Sequence, residues 1–247
     1  MHRFFAERTT ADTARLLPAE ARHALTVLRL KPGDQVQLIL EDQLFDAVLT
    51  ETEPETSARI TGVLPSPEPD VRVTLYQGLP KADKVDYVVQ KGTEAGTYAF
   101  RILEMARSVS RLKASDAVRK AERWQRIAEE AAKQSGRAHV PEVKVIDRKA
   151  LPELLAAHDL VLVPWEEAKA VSLAQALRAR PDARDIALII GPEGGMTAEE
   201  IDVFKAGGAV PVTLGPRIFR TETAGLAAAI MALYERDAYG AAETEAT

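Results

Sequence analysis

The sequence predicts an α/β protein in two parts: a small, mostly β unit, then a larger domain built on a mainly parallel sheet. Three observations carry this. From residue 71 onward, strand-like and helix-like segments alternate, the pattern of a parallel sheet covered by helices. Residues 64–70, LPSPEPD, hold three prolines in seven positions and form a stiff, extended stretch poor in apolar residues. Ahead of it, several short strand-like runs follow one another at the close spacing of a small barrel.

Within the first part, residues 18–30 (PAEARHALTVLRL) suit a short helix with Pro18 in its first turn. Lys31-Pro32-Gly33-Asp34 reads as a turn, because proline presets φ and glycine tolerates positive φ. Strand candidates follow at 35–40, 44–50 and 57–63. The proline-rich stretch sets the boundary, giving one domain over 1–68 and a second over 69–240. Strands are expected there at 71–79, 100–106, 143–146, 160–164, 186–190 and 210–214, and helices at 83–95, 116–135, 168–179, 197–206 and 221–238. In helix 116–135, Ala117, Ala121, Trp124, Ala128 and Ala131 recur at three- and four-residue spacing, which favours Trp124 as a core residue over one that stacks on an RNA base. Gly136 follows as its cap and Pro141 prevents continuation. Thr197 and Glu200 form a capping box for the helix at 197–206. The last helix, AGLAAAIMALY, is apolar on all sides and is expected to be buried or packed on a second subunit. Residues 241–247 are expected to be disordered.

Composition narrows the function. Hydrophobic residues make up 46% of the 247, enough for a core. No apolar run reaches the ~18 residues of a membrane span, and the start, MHRFFAERTT, lacks the apolar stretch of a signal peptide. With no cysteine, disulfides, thiolate ligands and a cysteine nucleophile are excluded. His2, His23, His139 and His158 are scattered, which argues against a zinc site. The expectation is a soluble cytoplasmic protein with no metal and no membrane partner. Net charge is −5, but it is unevenly spread. Residues 70–150 hold 17 basic and 11 acidic side chains, between two acidic ends. Local field rather than total charge steers a polyanion. A solvated helix face accounts for the basic bias of 101–126 equally well.

Two loops near the C-terminus carry the chemistry. Strand 186–190 runs into Gly191-Pro192-Glu193-Gly194-Gly195, and a capped helix starts two residues later. Ligands of open α/β sheets bind beyond the carboxyl ends of strands, and glycines let backbone amides approach them closely. The loop lacks the Gly-Lys-Ser/Thr of a Walker loop and is not G-x-G-x-x-G, which disfavours a phosphate cradle. An ordinary tight turn remains an equal reading of these glycines alone. The second strand, 210–214, ends at Gly215-Pro216-Arg217-Ile218-Phe219-Arg220, and Thr221-Glu222-Thr223-Ala224 enters a helix. Thr221 suits a cap and Glu222 suits the helix's positive end. Arg220 opposes the helix dipole, so a ligand role explains it better than a structural one.

Together these stretches resemble the SPOUT methyltransferases, specifically the RsmE-type enzymes that methylate N3 of a uridine in small-subunit (16S) ribosomal RNA. The matching runs are HALTVLRLKPGD (23–34), LPKADKVDYVVQKGTEAG (79–96), ARSVSRL (106–112), ERWQRIAEEAAKQSGRAHVPEV (122–143), LIIGPEGGMTAEEI (188–201) and LGPRIFRTETAGLAA (214–228). They cover most of the chain in family order. The resemblance implies a trefoil knot in the C-terminal domain, an N-terminal PUA-like or OB-like β-barrel that helps grip RNA, and a homodimer. It implies S-adenosylmethionine as cofactor, held largely by backbone groups. The matching positions are Leu162, Val163 and Pro164 after one strand, and Gly191, Pro192, Glu193 and Gly195 in the first loop. In the second they are Leu214, Gly215, Ile218, Phe219, Arg220 and Thr223. Three places depart from the family pattern: Glu104-Met105-Ala106-Arg107-Ser108 replaces a Thr-Glu-Arg-Ser run, Trp165-Glu166-Glu167 replaces a commoner His-Glu pair, and Phe219 replaces a smaller aliphatic.

Uracil N3 must lose a proton to become a nucleophile. Arg220 is the candidate cation for stabilising the anion, and Glu222 the candidate base. Glu193 is read as ordering its own loop. The basic middle supplies candidate contacts to 16S ribosomal RNA or the small ribosomal subunit: Arg107, Arg111 and Lys113 in one loop, Arg123, Arg126 and Lys133 on the long helix, and Arg137 beyond it. His23 is read as structural. The rival readings are another SPOUT reaction, on a ribose 2′-O or a different base, and a non-catalytic RNA-binding factor of ribosome assembly. A dinucleotide-dependent enzyme lacks its fingerprint.

Overall fold

The computed structural model describes residues 1–240 except Glu53 and Ala82, so the tail at 241–247 lies outside the described residues. The chain divides into two compact units: Met1–Glu68 with Gly136–His139, and Pro69–Ser135 with the chain from Val140 onward.

The first unit is a closed five-stranded barrel. Its strands are β1 (Arg3–Arg8), β2 (Thr13–Leu16), β3 (Gln35–Leu40), β4 (Gln43–Glu51) and β5 (Ser57–Leu64), in the order β1-β2-β5-β4-β3. Parallel pairing of β1 with β3, Phe4 opposite Leu38, closes it. Side chains alternate across each strand, so Phe4, Ala14, Leu16, Val36, Leu38, Phe45, Ala47 and Leu49 fill the interior. Glu41 and Asp42 turn β3 into β4, both at positive φ (54° and 62°), as a two-residue hairpin requires. The helix expected over 18–30 is shorter. Helix α1 (Pro18–Arg22) gives way to a π-helical turn, His23–Val27, in which the Leu28 N–H reaches back to the His23 carbonyl. Arg29 then leaves at a φ of 56°. β-Branched Thr26 and Val27 have poor helix propensity, and only Ala24 of the turn is buried to hold it.

Gly136–His139 belongs to this barrel, although the sequence reading placed it in the second domain. Glu68 accepts hydrogen bonds from the backbone N–H groups of Ala138 (2.8 Å) and His139 (3.1 Å) and from the Arg137 guanidinium (2.6 Å). Arg3 donates to the Gly136 carbonyl, His139 Nδ1 lies 2.9 Å from Asp42, and Ala138 packs with Ile39 and Leu44.

The second unit alternates as expected: β6 (Arg72–Gly78), α2 (Lys84–Glu94), β7 (Ala99–Leu103), α3 (Ala114–Ser135), β8 (Glu142–Ile146), α4 (Leu151–Ala156), β9 (Leu160–Pro164), α5 (Leu173–Arg178), β10 (Asp185–Ile190), α6 (Ala198–Ala206), β11 (Val210–Val212) and α7 (Thr221–Glu235). Helix α4 lay outside the expected elements. Helix α5 starts later than expected because Ser172 forms a capping box with Gln175. All neighbours in the sheet, ordered β11-β9-β10-β6-β7-β8, are parallel. Strand β10 alternates between two cores: Ile186, Leu188 and Ile190 join α2, α3, α5 and α7, while Ala187 and Ile189 face α4 and α6. Trp124 is a core residue, 4% exposed, and its indole N–H donates to Asp86 (3.0 Å). Gly225 lets α7 close on β6, since a Cβ there would meet Leu75 at 3.0 Å. No described helix is long and apolar enough to cross a membrane.

Candidate functional site

Strands β11, β9 and β10 are parallel neighbours, so their carboxyl ends open onto one edge of the sheet. The ladder continues past β9, where the Trp165 N–H donates to the Val212 carbonyl at 3.0 Å. Beyond these ends lies a cleft of about 950 Å³, walled by Pro164–Glu166, by the first glycine loop, by the stretch 213–221 and by Lys84.

The first loop is folded by close approach. The Gly195 N–H bonds to the Pro192 carbonyl at 2.9 Å, and Gly195 sits at a φ of 70°, where a Cβ would lie 2.7 Å from the Glu166 carboxylate. Gly78, ending β6, is needed for space alone, since a Cβ there would come within 2.8 Å of Pro192 and 2.7 Å of Met105 Sδ. Thr197 and Glu200 form the expected capping box on α6. The Glu200 carboxylate is buried, and it also accepts the Ala106 N–H at 2.9 Å.

The second loop is tied to the first by one hydroxyl. Thr221 donates to the Gly191 carbonyl (2.6 Å) and accepts from the Gln77 side chain (2.8 Å), with both residues buried. Thr221 is therefore the first helical residue of α7 and not its cap. The cap position is Arg220, which makes no side-chain capping bond. The start of α7 thus has no side-chain cap from Arg220, and its positive dipole end stands at the cleft.

Ten of the positions assigned from sequence to the donor pocket line the cleft: Pro164, Gly191, Pro192, Glu193, Gly195, Leu214, Gly215, Ile218, Phe219 and Arg220. Leu162 and Val163 do not. Both are sealed in the core at 0% exposure, because only the last residue of β9 reaches the edge of the sheet. Thr223 is off the wall, its N–H bonded to the Arg220 carbonyl. Lys84, Trp165, Glu166 and Met196 line it without having been singled out as binders. Lys84 was open to the argument made for Arg220, since a cation on the first turn of a helix opposes the dipole.

Lys84 Nζ lies 2.9 Å from Glu193 and 3.1 Å from Glu222, and the Lys81 N–H also reaches Glu193 at 3.0 Å. Burial alone would raise the Glu193 carboxyl, but the Lys84 ammonium and the backbone N–H groups outweigh it and hold the group below the usual carboxylate range. Burial likewise works against Glu222, which its own N–H, then Lys84, then Arg220 bring down. Lys84 is raised, chiefly by its bond to Glu193 and against burial. Glu222 is thereby a weaker base than an ordinary glutamate. Arg220 is exposed and makes no ion pair among the described residues.

Of the basic candidates, Arg137 is withdrawn as an RNA contact. It is 7% exposed and held by Glu68. Arg107 leans on the first loop, donating to the Gly194 carbonyl at 3.2 Å. Arg111 pairs with Glu104 and Arg123 with Asp86, while Lys113, Arg126 and Lys133 are exposed. Replacing Thr221 with valine should destabilise the protein by about 1–3 kcal/mol in chemical denaturation, because it strands the buried Gly191 carbonyl and Gln77 amide.

Residues 67–233 match the RNA methyltransferase domain family, and residues 17–59 match the RNA methyltransferase PUA domain family. The chain is 34% identical to ribosomal RNA small subunit methyltransferase E of Bacillus subtilis, over 96% of this chain and 98% of that one. It is 34% identical to the protein of the same name from Mycobacterium bovis, over 85% and 81%. A crystal structure of ribosomal RNA small subunit methyltransferase E from Neisseria gonorrhoeae, bound to S-adenosyl methionine, superimposes with a TM-score of 0.74 at 29% identity, covering 95% of this chain and 97% of that one. Barrel, parallel sheet, cleft and sequence agree, and the chain belongs to the ribosomal RNA small subunit methyltransferase E family.

Proposed function

We propose that this protein transfers the methyl group of S-adenosylmethionine to N3 of a uridine in small-subunit (16S) ribosomal RNA, acting as a cytoplasmic homodimer. The observation that carries this reading is the cleft itself. It combines a glycine loop with a positive-φ residue, a helix start with no side-chain cap and two arginines, Arg217 and Arg220, that form no ion pair among the described residues, at the carboxyl ends of three parallel strands. The residues fit the donor. The Trp165 indole N–H is buried on the cleft wall with no hydrogen-bond partner among the described residues, left for a polar ligand atom. Backbone groups of Gly191–Gly195 and of 213–220, which line the cleft, are the candidates to hold the rest.

When bound, the donor supplies a sulfonium methyl. The N3–C bond forms as the S–C bond breaks, and the N3 proton departs to solvent. Arg220 stabilises the uracil anion, since an arginine is permanently charged and stands at the positive end of α7. Glu222 stays bound to Lys84 and does not take the proton. Positioning of donor and acceptor supplies the remaining acceleration. Replacement of Arg220 by alanine is expected to lower single-turnover methylation by about a hundredfold or more, while donor binding by calorimetry changes little. Nucleosides from a null strain should lack 3-methyluridine. Loss of a 2′-O-methyl nucleoside instead would transfer the protein to a different reaction.

RNA phosphates are met by exposed cations. Lys113, Arg126 and Lys133 stand on or just before α3, and Arg22, Arg29 and Lys31 occupy a barrel segment with no acidic residue between Glu20 and Asp34. Changing Arg22, Arg29 and Lys31 together to glutamine should reduce the slope of log affinity against log salt by about two to three for ribosomal RNA. An unchanged slope would take the barrel out of the interface. The second subunit is assigned to α7, whose Ile230, Met231 and Tyr234 are 40%, 39% and 74% exposed on an otherwise apolar helix. Sedimentation should give twice the chain mass for the native protein and the single mass for Met231→Lys/Tyr234→Glu.

A further inference from the structure

We propose that Lys84 is a positioning residue for methyl transfer: its single ammonium holds the first glycine loop and the first turn of α7 at a fixed spacing beside the cleft. The ion pairs with Glu193 and Glu222 put the two facing carboxylate oxygens within about 6 Å of one another. All three side chains are partly sheltered, 28%, 25% and 18% exposed, so their interaction is only partly screened by water. Lys84 is the first residue of α2, where the helix dipole disfavours a cation. It gains nothing from its own helix, and the two carboxylates are what its charge serves.

The neighbouring charges leave no substitute. On its own element, Asp86 is engaged by Arg123, with Asp83 3.9 Å from the same guanidinium. From the loop before α2, Lys81 offers Glu193 only its backbone N–H. From α7, Arg220 influences Glu222 without forming an ion pair with it. Without the ammonium, Glu193 and Glu222 become a like-charge pair in a sheltered place, and one of them must hold a proton into the neutral range. Loss of the shared ammonium also unties the loop and the helix turn that wall the cleft. Lys84 touches neither donor nor acceptor in this account and acts through the two glutamates.

The kinetic half of this proposal rests on the methyltransferase reading; the pH dependence of the ligand-free protein does not. The test compares the full-length protein with Lys84→Met, Lys84→Arg and Lys84→Met/Glu222→Gln. Calorimetry with S-adenosylmethionine from pH 6 to 9 is expected to give a flat profile for the native protein. Lys84→Met should bind about tenfold more weakly at pH 8 and recover toward pH 6, as protonation removes the repulsion. Lys84→Arg should restore most of the affinity, and the double variant should lose the pH dependence. In turnover, KM for the donor should rise far more than kcat falls. Donor affinity for Lys84→Met within twofold of native at every pH overturns the proposal.

Denaturation of the ligand-free proteins gives an independent measure. In the native protein the lowered carboxylates keep their contribution to stability until the pH falls below the usual carboxylate range. In Lys84→Met one carboxyl is raised, so its stability deficit should widen as pH climbs from 5 to 8. A deficit that does not vary with pH also overturns the proposal. Failure of the native protein to bind S-adenosylmethionine would instead sink the methyltransferase reading, with the denaturation test still standing. If Lys84→Met does not fold, the double variant, free of the repulsion, must fold and bind without pH dependence, and its failure counts against the clamp.

Discussion

Strand β10 is flanked on both sides by other strands and buried on both faces, and its carboxyl end must leave the sheet without carrying unpaired peptide groups into the core. The rest of the catalytic unit is arranged around that requirement. The Gly191 carbonyl, first beyond the strand, is met by the Thr221 hydroxyl, and Gln77 of the adjacent strand β6 supports that hydroxyl in turn. The start of α7 is thereby anchored to the end of β10, and the stretch between β11 and α7 must arch over the sheet edge to reach it. The cleft is the space under that arch. Gly78 and Gly225 extend the same logic, since both sit where β6 must lie close to a neighbour and a side chain would intrude.

Charge in the cleft is sorted rather than mixed. One lysine is shared by two glutamates on the side nearest α2, where the three groups are sheltered. On the exposed side Arg217 and Arg220 form no ion pair among the described residues, at a helix start with no side-chain cap. Such a division puts the arginines on the exposed side of the cleft and the ion-paired carboxylates on its sheltered side. Charge-assisted bonds around Glu200 and Arg107 hold the loop after β7 against the first glycine loop and the start of α6, so that border of the site is braced from outside it.

Much of this was legible in the sequence, for physical reasons that vary by element. LVLVP and IALII announce β9 and β10 because a parallel strand covered on both faces reads as an unbroken apolar run. β1 and β2 escaped notice because each is short and its outer face is polar, leaving Phe4, Ala14 and Leu16 too sparse to show a period. The two glycine loops were readable as a site, but not the reach of the strands behind them: Leu162 and Val163 share a motif with Pro164 and lie inside the core. Lys84 and Thr221 were visible as residues and invisible as partners, because their contacts join positions far apart in the chain. Arg137 shows the same limit with the opposite outcome, a cation that looked free and proves to be matched by a glutamate in another part of the sequence.

The excursion of Gly136–His139 bears on how such a protein can be inherited. The barrel looks like a detachable module, ending at a proline-rich seam that recombination could cut. Yet its last residue, Glu68, is satisfied by a guanidinium and two peptide groups supplied from the far side of the longest helix of the other unit. A gene fragment ending at the seam would encode a barrel with an unanswered carboxylate and an open flank beside Ile39 and Leu44. The two units are each compact but interleaved in sequence, and that arrangement favours their transmission together.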